Sequence, residues 1–251
     1  MSSIARSRQT ARRDAAAIEF FPLYRQVRER LLRRLAEGAW PAGAMLPSEQ
    51  DLAAELGVSQ GTVRKALDAL VAENLLVRRQ GRGTFVALHD ERRILFQFFR
   101  LVSETGERQF PESRVLRVGT GQANSAERAR LALAPRDRVV RIRRVRALAG
   151  HPCISESIVL PDTLFPGLIS RPLPNNLYGL FAEKYGIGIA RASERLKAVA
   201  LSSSDAALLG VAPGTPVLSV DRLALAIDGR KVEWRVSRCL TTHVHYASDL
   251  T

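Results

Sequence analysis

Only three residues, Gly57-Val58-Ser59, separate two runs of helical periodicity, and this spacer constrains the fold more than any other feature of the chain. So short a link reads as the tight turn between two helices. Upstream, Ser48 precedes Glu49 and Asp51. A serine oxygen can take a free backbone N–H while the carboxylates sit at the positive end of the helix dipole, so a helix starts near residue 48. Leu52, Ala53 and Leu56 give it an apolar stripe, and Gly57 ends it by supplying positive φ. Ser59 caps the second helix, in which Val63, Ala66, Leu67 and Leu70 recur at helical spacing and face inward. An earlier helix is expected over Leu23 to Glu37, with Val27, Leu31, Leu32 and Leu35 as its buried stripe and Gly38 as its stop.

The outer face of the second helix carries Gln60, Thr62, Arg64 and Lys65 near its N-terminal end. In helix-turn-helix docking this end enters the major groove, where such donors meet base edges. Beyond it, Leu75-Leu76-Val77 and Thr84-Phe85-Val86 flank Gln80-Gly81-Arg82-Gly83, a glycine-rich turn in a hairpin that presents Arg82 at its tip. The whole is a winged helix-turn-helix pattern. The expected DNA contacts are Ser48 and Gln50 in the first unit, Ser59, Gln60, Gly61, Thr62, Arg64 and Lys65 in the second, and Gln80, Gly81 and Arg82 in the wing. A small packed subdomain with a solvated charged face is the competing reading, and the attached wing disfavours it.

Pro22-Leu23-Tyr24, Pro41-Ala42-Gly43-Ala44-Met45-Leu46-Pro47-Ser48-Glu49, Val58-Ser59 to Leu67 and Gly81-Arg82-Gly83-Thr84-Phe85-Val86 resemble the DNA-binding domain of GntR-type bacterial transcription regulators. The sequence departs at Gln50 and Gln60, where many relatives carry arginine. The resemblance implies a sequence-specific DNA-binding role.

Composition fits a phosphate-binding protein, with a net charge of +13 and a pI near 11.0. The first 95 residues carry 16 basic and 11 acidic side chains, and the remainder 22 and 14, so the excess is not confined to the DNA reader. Two cysteines, Cys153 and Cys239, no apolar run of about 18 residues and no signal-peptide pattern point to a reducing cytoplasm and no membrane partner. The chain divides into a disordered basic tail (1–17), the winged helix-turn-helix domain (18–88), a charged linker (89–93), a second domain (94–246) and a short C-terminal tail (247–251).

From about residue 94 the periodicity changes. Val115–Val118, Val139–Leu148, Ile154–Leu160, Ile189–Leu201, Val217–Ile227 and Val232–Arg238 read as strands, while Ser125–Leu133, Leu177–Tyr185 and Ser203–Leu209 read as helices. This is an α+β domain with a mostly antiparallel sheet. Ala149-Gly150 marks a hairpin bend. Arg144-Val145-Arg146, Gly150-His151-Pro152, Glu156, Leu160-Pro161, Asn176-Leu177-Tyr178, Gly214-Thr215-Pro216 and Val232-Glu233 are similar to the UTRA effector-binding domain of the HutC branch of GntR regulators, whose fold is chorismate lyase-like. Relatives commonly end with Asp-Arg-Tyr on the last strand, where this chain has Thr241-Thr242-His243-Val244-His245-Tyr246.

Residues two apart on a strand share a face, so Arg144 and Arg146 point with Val140, Ile142 and Leu148, and Glu156 points with Ile154, Ile158 and Leu160. Charges on an apolar face must be paired or bound. Two readings stay open: Arg144 and Glu156 form a structural ion pair with Arg141 and Arg143 on a solvated edge, or the guanidiniums and the carboxylate line a ligand cleft. The resemblance implies effector contacts at Arg144, Arg146, Glu156 and Glu233, with Tyr178 a weaker candidate. Parity does not support Glu233, since Val232, Trp234 and Val236 form the apolar face of their run. Arginine forks suit a small anionic effector.

His151-x-Cys153 and His243-x-His245 lack the paired Cys-x-x-Cys spacing of metal sites, so no metal or cofactor is expected. Ser202-Ser203-Ser204 before Asp205 reads as a helix cap, not a nucleophile. The expected function is a ligand-responsive transcription regulator that acts as a homodimeric repressor on an inverted-repeat operator. A fused pyridoxal-phosphate enzyme domain needs roughly 350 residues and a Schiff-base lysine in a suitable setting, neither of which is present. An all-helical effector domain conflicts with the strand periodicity.

Overall fold

The computed structural model describes residues 22–41, 43–87, 99–104, 106 and 110–248. The expected tail at 1–17 and linker at 89–93 lie outside them. Helix α1 spans Leu23–Ala36, α2 Glu49–Leu56 and α3 Gln60–Ala72. Gly57 ends α2 at φ +66°, the left-handed conformation that the three-residue turn requires. Val27, Leu31, Leu35, Leu52, Val63, Leu67 and Leu70 pack into one core between the helices. Arg28 of α1 donates bidentately to Glu73, just past α3, at 2.8 and 2.6 Å, clamping the two ends together.

The wing is formed by β1 (Leu76–Arg79) and β2 (Gly83–Val86), paired antiparallel with Arg79 opposite Gly83. Residues 43–46 lie along the far side of β2: the Leu46 N–H donates to Thr84 O and the Val86 N–H to Ala44 O, both at 2.8 Å. Sequence periodicity did not mark this third, proline-bounded segment.

In the second domain β4 (Glu112–Gln122), β5 (Arg138–Leu148), β6 (His151–Pro161), β7 (Ile189–Ala200), β8 (Pro216–Ala226) and β9 (Lys231–Cys239) form one antiparallel sheet in the order β4-β5-β6-β9-β8-β7. Strand β5 is interior, so Arg141 and Arg143 do not lie on the edge that one of the two readings gave them. A two-stranded ladder of β3 (Leu101–Ser103) and β10 (Val244–Tyr246), too short to read from sequence, sits apart. The β5–β6 hairpin turns on Ala149 at φ +48° and Gly150 at φ +79°.

Among the described residues three α-helices flank the sheet. Helix α4 (Ser125–Leu131) starts with a capping box in which Asn124 and Glu127 exchange hydrogen bonds. Helix α5 (Leu177–Tyr185) is capped by Asn176, and α6 (Ser203–Leu209) by Ser202, whose Oγ accepts the Asp205 N–H at 3.2 Å. On the inner face of the sheet, Phe165, Leu168, Tyr178 and Phe181 pack against Val140, Ile142, Ile158, Leu160, Ala224 and Val232. On the outer face, Leu131 of α4 meets Val139, while Ala206 and Leu209 of α6 meet Val145 and Val217.

Candidate functional site

The two expected reading elements are built by their caps. Ser48 Oγ accepts the Asp51 N–H at 3.1 Å and Ser59 Oγ the Thr62 N–H at 3.2 Å, so both serines serve helix starts. Gln50, Gln60, Gly61, Arg64 and Lys65 are exposed on the same rim, with Thr62 half-buried. A Cβ at Gly61 would meet only Ser59 Oγ, at 3.9 Å, which leaves the start of α3 open to close approach. Gln80, Gly81 and Arg82 are all exposed at the wing tip, where Gly81 adopts φ +68° and the Arg82 N–H closes the turn on Arg79 O at 2.9 Å. Sequence reasoning missed Glu49 here. Its carboxylate accepts from Arg64 Nε at 2.9 Å and from Arg78 Nη2 at 3.0 Å, joining α2, α3 and β1 on the exposed rim.

The second site lies on the inner face of the six-stranded sheet. Arg144 and Glu156 face each other across β5 and β6, and Arg144 Nε donates to Glu156 Oε2 at 2.5 Å. Glu156 Oε1 accepts from Ser237 Oγ of β9 at 3.0 Å, and Nη1 atoms of Arg146 and Arg235 each stand 3.7 Å from it. Glu156 is therefore a hub for three guanidiniums. Arg146 Nε donates to Ser113 Oγ at 3.1 Å, and its guanidinium lies over the rings of Phe99 at 5.2 Å and Phe110 at 5.5 Å. Tyr178 of α5 donates its hydroxyl to Glu233 Oε1 at 2.8 Å, and Glu233 Oε2 accepts from Arg235 Nη2 at 2.6 Å. Arg222 of β8 donates to Glu194 of β7 at 2.6 Å.

All five expected effector residues, Arg144, Arg146, Glu156, Tyr178 and Glu233, thus gather on one buried surface, and the ion pair of Arg144 with Glu156 is part of it. One expectation of parity fails. Glu233 is fully buried and shares the inner face with Arg235, Ser237 and Cys239, whereas Trp234 and Val236 are only partly buried and face outward. The register shift at Ala224/Leu225 lets Val232 stay inside next to Glu233. Leu148 keeps the face of Arg144 and Arg146 and packs there around Ile154 and Cys239. Arg222, Arg235 and Ser237 were missed, because a charged residue between hydrophobic neighbours reads as outward-facing.

Burial opposes every charge here, and the partners outweigh it at some groups and not at others. For Glu156 burial is outweighed by Arg144, Arg235 and Arg146, which hold its carboxyl well below the usual range. For Arg146 burial dominates and pushes it down to about 9. Arg144 is likewise lowered by burial. Arg235 is raised, because Glu233 and Glu156 outweigh burial. Burial and the adjacent Glu233 push Tyr178 up to about 12, so it stays a neutral donor.

Two small cavities of about 30 Å³ each adjoin this cluster, with Phe99, Arg146, Arg222 and Arg235 in the walls of both. Asn175, Asn176 and Tyr178 line one; Ile154, Val220 and Cys239 line the other. A larger groove of about 580 Å³ lies on the outer face. Arg117, Arg141 and Arg143 line it, and two of the three are taken up locally: Arg141 by Glu127 at 2.7 Å, and Arg143 by Asp205. His245 lies in the β3·β10 ladder with Nδ1 4.0 Å from Glu104, and Cys153 Sγ donates weakly to Arg146 O at 3.8 Å.

Residues 23–86 match the model of bacterial regulatory proteins of the gntR family, and residues 107–245 match the UTRA domain. The chain is 31% identical over 217 residues to the mannosyl-D-glycerate transport/metabolism system repressor MngR of Escherichia coli (strain K12), covering 85% of this chain and 89% of that one. This chain belongs to the gntR family, with a UTRA effector domain. The regulator is also 30% identical to the transcriptional repressor NagR of Bacillus subtilis, over 92% of this chain and 96% of that one. The histidine utilization repressor of Pseudomonas putida is 40% identical over 116 residues, 46% of each chain. Among solved structures, the ligand-binding domain of a GntR-family regulator from Bordetella bronchiseptica has a TM-score of 0.57 and 36% identity, covering 62% of this chain and 98% of that one. PhnF from Mycobacterium smegmatis shares the fold, with a TM-score of 0.55 at 22% identity over 90% of this chain and 99% of that one. The protein is therefore a DNA-binding transcription regulator of this type and not an enzyme. Its first domain binds DNA and its second binds a small-molecule effector. Among the described residues no helix is long and apolar enough to cross a membrane.

Proposed function

We propose that the protein is a cytoplasmic homodimeric repressor that holds an inverted-repeat operator through Arg64, Lys65 and Arg82 and releases it when a small anionic metabolite binds on the inner face of the C-terminal sheet. One helix-turn-helix reads only a few base pairs, so specific affinity calls for two copies on half-sites related by a two-fold axis. The observation that carries the anionic effector is Arg146. It is 4% exposed, its nearest carboxylate stands 3.7 Å away, and two aromatic rings hold its guanidinium beside both cavities. A buried fork short of acceptors suits a carboxylate or phosphate. Mannosyl-D-glycerate, in the name of the E. coli relative, is itself an acid.

Each cavity holds only a water or two as it stands, so ligand entry moves a wall. Phe99 is that wall: it precedes β3 and covers Arg146. Displacing it passes the signal toward the DNA-binding domain through the chain between them. Coupling is reciprocal, so an effector that loosens the operator binds the DNA-bound dimer less tightly, by about 1–3 kcal/mol.

The test has two stages. A thermal-shift screen of acidic metabolites identifies ligands, and operator binding by fluorescence anisotropy is then measured with and without each hit, for the parent and for Arg146→Lys. Loss of release in the variant, with operator affinity unchanged, is the expected result. Sedimentation as a monomer, or release that is indifferent to Arg146, overturns the proposal.

A further inference from the structure

A second guanidinium of the same cluster, that of Arg235, has one buried N–H without an acceptor. Arg235 of β9 is 7% exposed and stands directly opposite Arg222 of β8 in the sheet. Like charges facing each other across a ladder destabilise it, and burial sharpens the cost unless anions surround them. The anions present are shared out. Glu233 takes Arg235 Nη2 at 2.6 Å, Glu194 takes Arg222, and Glu156 Oε1, already accepting from Ser237, stands 3.7 Å from Arg235 Nη1. Arg235 Nε is buried and has no hydrogen-bond partner among the described residues. A buried N–H without an acceptor is rare in a folded chain and costs free energy that an arriving acceptor recovers.

Position completes the argument. Arg235 lies in the walls of both small cavities, as Arg146 does, and its guanidinium is held over the Tyr178 ring at 5.4 Å. Resting on the anionic-effector reading above, we propose that Arg235 contacts the effector directly, its Nε–H and Nη1–H joining the Arg146 fork around one oxyanion, a carboxylate or a phosphate, at the junction of the two cavities. Two planar forks recognise a group with at least two acceptor oxygens, which a point-charge lysine does not. The rest of the ligand extends toward Asn175, Asn176 and Tyr178, whose amides and phenol suit hydroxyl groups. Arg235 then sets specificity for an acid over its neutral analogue.

The probes are D-glycerate and inorganic phosphate, titrated separately into the full chain at constant ionic strength. Dissociation constants are read from ¹⁵N-arginine side-chain NMR. In the parent the Nε–H signal assigned to Arg235 shifts with the bound anion; binding of either probe supports the proposal and names the head group. Arg235→Lys weakens binding about tenfold or more, as loss of charge-assisted hydrogen bonds does. Because Glu233 depends on Arg235, the double variant Glu233→Gln/Arg235→Gln is measured in parallel, with its fold checked by circular dichroism. It removes both charges together and must also lose affinity. If Arg146→Lys loses the anion while Arg235→Lys and the double variant bind like the parent, Arg235 is structural and the proposal falls, with the anionic effector left standing. If neither probe binds the parent at tens of millimolar, both readings fall.

Discussion

Glu49, in the first turn of α2, accepts the Nε–H of Arg64 on α3 at 2.9 Å and so fixes the guanidinium of the expected base reader before DNA arrives. The same carboxylate holds Arg78 at the foot of the wing. A side chain that begins as a helix-dipole partner thereby aligns the exposed rim.

The first prediction follows from that alignment. Glu49→Gln frees Arg64 and removes a negative charge from the DNA-facing rim. Non-specific affinity rises, while the ratio of operator to scrambled-DNA affinity falls about tenfold, since one bidentate base contact discriminates by about 1–3 kcal/mol. Anisotropy titrations on both duplexes measure it; an unchanged ratio reduces Glu49 to a partner of the helix dipole.

Arg64 and Arg82 separate by mechanism. Arg64→Ala costs about 1–3 kcal/mol on the operator and relaxes preference at one base position. Arg82→Ala, at the exposed wing tip, weakens all sequences alike and lowers the salt slope by about one. Titrations at several salt concentrations distinguish them, and equal losses on every sequence in both variants would show that neither reads a base.

Burial makes the Arg144–Glu156 pair a stability element as well as a candidate ligand contact. The two side chains are 2% and 3% exposed, so Arg144→Ala leaves a buried carboxylate and costs about 3–5 kcal/mol of folding stability. Glu156→Ala costs more, because it strips the shared anion from Arg144, Arg146 and Arg235 at once. Urea unfolding of the two variants gives the order, and the reverse order contradicts the hub role.

Acid provides an independent check on Glu156. Its folded pKa lies well below the ordinary glutamate value of 4.5, because Arg144, Arg235 and Arg146 together outweigh burial. A depressed carboxyl contributes stability that is complete above the unfolded pKa and lost as pH falls toward the folded one. The stability advantage of the parent over Glu156→Gln is therefore full at pH 6 and shrinks below about 4.5. Thermal melts across that range should show the convergence; parallel curves would mean that Glu156 does not titrate differently in the two states.

Local chemistry in the sequence determined the elements. Ser48, Ser59 and Ser202 each begin a helix, and Gly57 ends α2, because a cap or a left-handed residue acts within one turn of backbone. Helix α5 and the hairpin at Ala149-Gly150 were legible for the same reason, as were six strands whose alternation spans many residues. The GntR and UTRA resemblances drew on these same turns and caps.

Strand parity put Arg144, Arg146 and Glu156 on the inner face, but on β8 and β9 only the tertiary structure decided which charges lie inside. Glu233, Arg235 and Ser237 alternate with Trp234 and Val236, and by hydropathy alone the latter pair belongs in the core. The reverse holds because Glu233 meets Tyr178 from α5 and Ser237 meets Glu156 from β6, partners 55 and 81 residues away in sequence. A buried charge is tolerable only where opposite charges and donors converge on it. That convergence belongs to strand order and register, and the shift at Ala224/Leu225 turns Val232 and Glu233 to one face in a way that a period of two does not record.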